Sequence, residues 1–231
     1  MYVPYMIVSL ALLAISYYLQ YRLKSVFQRY AQFPTVGNLS GAEVAARMLR
    51  DNGINDVKIQ SVDGALTDHY NPTDKTVNLS ADVFNGRSVT AAAIAAHECG
   101  HAVQHATAYS MLKLRSGIVP AVQVASRWNQ WIILGGLGLS LFAGSVGFIV
   151  LAIGVGLFAF TTFFSLVTLP VEFDASARAL AWLKTNNVTG LDHDKSKELL
   201  TWAAMTYVVA AAASIVNLWY YISLLMGRRR D

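Results

Sequence analysis

Only 14% of the 231 residues are charged, against about a quarter in an ordinary soluble domain. That shortage, beside a hydrophobic fraction of 55%, excludes a purely soluble globular chain and points to membrane helices carrying a small polar domain. Cysteine occurs once, as Cys99, so no internal disulfide can form, which fits a reducing compartment. The basic residues are in slight excess, for a net charge of +4, but they are scattered and lack any nucleic-acid-binding motif. Their expected effect is attraction to an anionic leaflet.

Charge is almost absent from three apolar blocks. Residues 3–19 form the first, with Tyr2, Tyr5, Tyr17 and Tyr18 at its edges and Arg22, Lys24 and Arg29 just beyond. Basic residues follow the apolar core instead of preceding it, and no small-residue cleavage site closes it, so it reads as a retained anchor and not a signal peptide. Residues 128–171 are uncharged, a length that suits two spans with a turn near Gly144, Ser145 and Gly147. Gly135, Gly136, Gly138, Gly154 and Gly156 would let the two helices approach closely. Residues 202–226 form the third block, closed by Gly227 and the arginines 228–230. Four spans are expected. They put all but three of the 18 Lys and Arg residues on one side, which predicts a cytoplasmic location for the polar domain. The three terminal arginines run against that orientation.

The polar part centres on an alanine-rich stretch, residues 91–105, that contains His97-Glu98-Cys99-Gly100-His101. With no proline there, the spacing predicts a helix that sets His97 and His101 one turn apart on one face, where two imidazoles can hold a zinc ion. Glu98 is placed to act as a general base toward a zinc-activated water. The other reading is an ordinary polar helix face. Against it, a glutamate and two histidines among Ala, Ile and Val would be buried at a cost unless something pairs them, and a metal does so. Cys99 is turned about 200° from His97 and reads as small buried filler. His105 continues the histidine face, but it lies about 12 Å from His97 along the helix, so one ion cannot reach both. It is expected to support the site or line an interface.

Upstream, Ser40 and Glu43 read as a capping box for a helix through about residue 51, which Asn52-Gly53 would stop. Residues 56–62 alternate as a strand, Asp68-His69-Tyr70-Asn71-Pro72 reads as a polar loop, and residues 75–80 as a second strand. This second strand is expected to bind extended substrate at its free edge. His69 and Tyr70 are expected either to pack the loop or to polarise a scissile carbonyl. Ser88 or Thr90 would cap the His97 helix. Downstream of the second apolar block, Pro170 is expected to start a helix, with Glu172 and Asp174 as candidates for a third metal ligand. Glu172 and Ser176 would share one face, with Asp174 nearly opposite. Asp192, His193 and Asp194 suggest a metal site less well than a helix cap.

Taken together, Asp68 to Pro72, Asn85-Gly86-Arg87-Ser88-Val89, His97 to His105 and Thr168-Leu169-Pro170-Val171-Glu172-Phe173-Asp174-Ala175-Ser176 resemble the YugP-type bacterial membrane zinc metallopeptidases. More distantly the chain is similar to the HtpX and Ste24 membrane gluzincins. The resemblance implies a mostly α membrane protein, with about four transmembrane helices and a small α+β zincin-like module. It implies one zinc ion per chain bound by His97, His101 and Glu172, with Glu98 as the base. Ser176 stands where the distant relatives carry an Asp that orients a ligand histidine, so Asp174, Ser176 and backbone carbonyls are all candidates for that role.

The expected organisation is an N-terminal anchor (1–22), a cytoplasmic module with the His-Glu-x-x-His helix (23–127), a transmembrane hairpin (128–171), the third-ligand helix and loop (172–200) and a C-terminal span (201–231). The expected function is a zinc-dependent endopeptidase of the bacterial inner membrane, acting on membrane or misfolded proteins from the cytoplasmic face, without nucleic acid. The alternative is a membrane metal-binding or adaptor module that keeps the peptidase fold without turnover. A metal transporter fits poorly, because the apolar blocks hold almost no ionisable groups to mark an ion path.

Overall fold

The computed structural model describes residues 2–228, so Arg229 and Arg230 of the terminal basic cluster lie outside the described residues. The order of elements is α1 (Tyr2–Tyr30), α2 (Gly41–Asp51), β1 (Lys58–Val62), β2 (His69–Asn71), β3 (Thr76–Ser80), α3 (Ala81–Asn85), α4 (Val89–Ala106), α5 (Ser110–Leu139), α6 (Gly144–Thr185) and α7 (His193–Arg228). The chain divides into two compact units. One comprises Met1–Tyr17, Leu114–Leu169 and Tyr207–Asp231, the other Tyr18–Lys113 and Pro170–Thr206.

In the first unit the apolar blocks are helical. Among the described residues three helices are long and apolar enough to cross a membrane, Val3–Tyr30, Gly144–Thr185 and Gly190–Gly227, one fewer than expected. The difference is α5. It is one helix of 30 residues, but Lys113, Arg115 and Arg127 divide it and leave uncharged runs no longer than residues 116–126 and 128–139. The helical hairpin is present, with its turn at residues 140–143, ahead of the glycines expected to form it. Of those expected at the contact, Gly136 and Gly154 do the work: a Cβ on Gly136 would lie 2.4 Å from the Leu151 nitrogen, and one on Gly154 2.9 Å from that of Ile133. Gly135, Gly138 and Gly156 face open space.

The second unit holds α2, α3, α4, the sheet, and parts of α1, α5, α6 and α7. Ser40 caps α2 with the expected reciprocal box: its hydroxyl accepts from the Glu43 nitrogen, and the Glu43 carboxylate accepts from its own. The sheet order is β1-β3-β2, with β1 parallel and β2 antiparallel to β3. Two expectations change here. The segment read as a loop, His69–Asn71, is the strand β2, and β3 is central and buried along its whole length. With a partner on either side, β3 has no free edge to offer a substrate. The outer strand on its antiparallel side is β2.

Val77 and Leu79 of β3, Val44, Ala45, Met48 and Leu49 of α2, and Ala92, Ala95, Ala96 and Cys99 of α4 build the core together with Ala179 and Leu183 of α6. Alanine on α4 matters because small side chains let backbones come close. Nothing could be larger than glycine at residue 100, where an added Cβ would lie 2.5 Å from the Ala175 carbonyl oxygen of α6. Pro170 does not start a helix. It sits inside α6, since its fixed φ is helical and its ring costs one hydrogen bond without stopping the helix.

Candidate metal centre

The contact of Gly100 with Ala175 determines what meets what. On α4, His97 and His101 flank Gly100; on α6, Glu172 and Ser176 flank Ala175, one helical turn apart on one face. Bringing the two backbones together therefore sets the two pairs against each other. His97 Nε2 lies 3.3 Å and His101 Nε2 3.8 Å from Glu172 Oε2. One ligand atom from each of the three residues falls within 4.8 Å of the others. Ligands around a tetrahedral zinc, each about 2 Å from the ion, lie about 3.3 Å apart, so this donor set fits zinc. It is the only such group of three among the described residues.

The other face of each imidazole is also engaged. Ser176 Oγ lies 3.1 Å from His97 Nδ1, and Gln104 Oε1 lies 3.0 Å from His101 Nδ1. Nδ1 being occupied leaves Nε2 toward Glu172 on both rings. Asp174, expected to point away from the site, in fact acts one step removed from it: it accepts from Gln104 Nε2 at 2.8 Å and from Arg178 Nε at 2.6 Å. It is not within the three-residue group.

Glu98 is buried. Burial pushes its carboxyl up to about 7; the neighbouring His97 and a hydrogen bond from the Tyr70 main chain oppose the rise, while Glu172 and Asp68 add to it. A carboxyl in that range can hold and release a proton near neutral pH, as a general base must. The Tyr70 contact also places β2 against α4. The phenol of Tyr70, pushed up to about 12 by burial, is engaged 2.7 Å from His105 Nδ1. This pair lines a cavity of about 380 Å³ with Ile54, Asp56, Val57, Lys75, Ala102 and Ala106. His69 faces the other way along the strand, is exposed, and lies 2.7 Å from the Thr67 carbonyl through its Nδ1. It has no place in the cluster.

Cys99 is buried, with Sγ 3.7 Å from the Ala45 carbonyl, and burial pushes its thiol up, as suits an inert filler. Ser88 caps α4 through the Ala91 nitrogen. Asp192, just ahead of α7, pairs with Lys195 in its first turn, and no metal-binding group forms there among the described residues. Three residues of the site region escaped the sequence reading: Gln104, Asp68 and Gly100. Only Gln104 offered a signal, since it follows His101 by three residues on the same side of the helix.

The chain matches, over residues 5–226, the family described as "Putative neutral zinc metallopeptidase". It is similar to the "Putative membrane protease YugP" of Bacillus subtilis (strain 168), at 38% identity over 233 residues, covering 98% of this chain and 99% of that protein. No solved structure matches it.

Proposed function

The chain belongs to the neutral zinc metallopeptidase family, and from that premise we propose that it is a membrane-embedded, zinc-dependent endopeptidase. The observation that carries the reading is the convergence of His97 Nε2, His101 Nε2 and the Glu172 carboxylate within 4.8 Å, with Glu98 buried beside them. In this reading one zinc ion per chain is held by those three residues. Zinc bound there supplies Lewis acidity, polarising a carbonyl and lowering the pKa of water.

The rest falls to the chain. Glu98 takes a proton from the attacking water and returns it to the leaving amine. Glu172 supplies negative charge to the cation, and Ser176 and Gln104 hold the two imidazoles. The peptide lies along the free edge of β2, in place of the buried β3, because β2 is the strand whose main chain meets Glu98. The cavity beside Tyr70 and His105 is suited to take a substrate side chain.

The uncharged run 128–171 and the turn at residues 140–143 that joins α5 to α6 support a membrane hairpin. The excess of Lys and Arg outside the spans supports a cytoplasmic site in a bacterial inner membrane. A peptidase so anchored suits membrane or misfolded protein substrates. Incubating the detergent-purified chain with unfolded casein tests the reading. Cleavage that stops with a chelator and returns with zinc is expected; cleavage indifferent to chelation overturns it.

A further inference from the structure

The two histidines are supported unequally. A serine hydroxyl can donate or accept, so Ser176, 3.1 Å from His97 Nδ1, is compatible with either tautomer of that ring. Gln104 leaves no such choice. Its side chain is fully buried, and its Nε2 faces the Val171 carbonyl at 2.8 Å and the Asp174 carboxylate at 2.8 Å. Both of these groups only accept, so the amide nitrogen must be the atom that meets them. The oxygen is thereby turned to His101, where it can only accept.

His101 Nδ1 must then carry the proton, and its Nε2 presents a lone pair toward Glu172. Asp174 is held in turn by Arg178, whose Nε donates to the same carboxylate oxygen at 2.6 Å. The Arg178 guanidinium also lies over the Tyr109 ring, 6.0 Å from its centre. The order Arg178, Asp174, Gln104, His101 is a relay in which every donor meets a group that can accept.

We infer that Gln104 is the positioning residue for His101, locked by Asp174 and the Val171 carbonyl so that His101 is held in its metal-binding tautomer before any ion arrives. This rests on the zinc site proposed above. It makes the affinity for zinc, and not only turnover, depend on a residue outside the His-Glu-x-x-His signature.

The test uses the detergent-purified full chain stripped of metal, with zinc affinity read by competition against a chromophoric chelator and ligand geometry read from the visible spectrum of added cobalt(II). Wild type is compared with Gln104→Leu and Asp174→Ala, each first checked for an unchanged helical circular dichroism spectrum and metal-free melt. Gln104→Leu should weaken zinc binding by about 10–100-fold and alter the cobalt spectrum. Asp174→Ala, which takes away one of the two acceptors that fix the Gln104 amide, should lose several-fold.

Wild-type affinity and spectrum in folded Gln104→Leu would overturn the inference while leaving the zinc site standing. If Gln104→Leu does not fold, Asp174→Ala decides, because Asp174 is only part-buried and unchanged zinc and cobalt binding there breaks the relay. A wild-type chain that takes up neither metal removes the zinc site itself and the inference with it.

Discussion

In the unit that contains Leu114–Leu169, Thr161 and Thr162 both donate to the Phe158 carbonyl, Thr168 to that of Phe164 and Ser140 to that of Leu137, each within its own helical turn. In the unit that carries the candidate metal centre, Gln104 reaches Asp174 and Ser176 reaches His97, bonds that close 70 and 79 residues of chain. The apolar unit has cross-helix bonds of its own, Tyr5 to Asn217 and Ser165 to Ser214, but its hydroxyls are mostly hidden by their own backbone. Such a group is satisfied wherever the helix goes. A group that depends on a distant partner is satisfied only when the fold delivers that partner, and losing one of the two leaves the other buried and unpaired.

That contrast orders the expected effects of substitution. Glu98→Gln should give the largest, about 10²–10⁴-fold slower cleavage of casein, with zinc content kept; an active Glu98→Gln chain would remove Glu98 from the chemistry. Next comes Gly100→Ala, whose Cβ would meet the Ala175 carbonyl at 2.5 Å and should cost about 1–3 kcal/mol in thermal or denaturant unfolding. Gly156→Ala, facing open space in the other unit, should stay within about 0.5 kcal/mol. Equal costs at the two glycines would show that the close approach of α4 and α6 is not a constraint.

Ser176→Ala removes the hydroxyl beside His97 and should weaken zinc binding by about 10-fold or less, as read by chelator competition. Smallest of all should be Thr162→Val. It deletes a hydroxyl bonded only to its own helix, and its stability should change by about 0.5 kcal/mol or less. A larger loss there than at Gly100 would erase the distinction between the units.

The same contrast explains what the sequence could and could not reveal. Features carried by neighbours in the chain were legible: the Ser40 and Glu43 capping box, the Ser88 cap, and the placing of His97, Glu98 and His101 on one helix. Glu172 was reachable because it falls in a motif with a family resemblance. The interior position of Pro170 was not legible, since a proline that ends one helix and one tolerated within another look alike without their surroundings. Nor was strand order, because β2 has only three residues and β3 reads as an alternating strand whether it is central or at an edge. Which residue fixes each imidazole was hidden for a similar reason. Gln104 acquires its orientation from Val171 and Asp174, and no spacing rule connects residues that far apart. Gly100 is the sharpest case: as one of the unspecified positions of His-Glu-x-x-His it carries no motif information, yet it sets the approach that brings Glu172 to the histidines.

The most direct measurement is metal content by mass spectrometry on detergent-purified chain, wild type against Glu172→Ala, with no substrate required. The account predicts about one zinc per wild-type chain and its near-complete loss in Glu172→Ala. Full zinc retention by Glu172→Ala, or a wild type that takes up none after reconstitution, would contradict a centre assembled from α4 and α6.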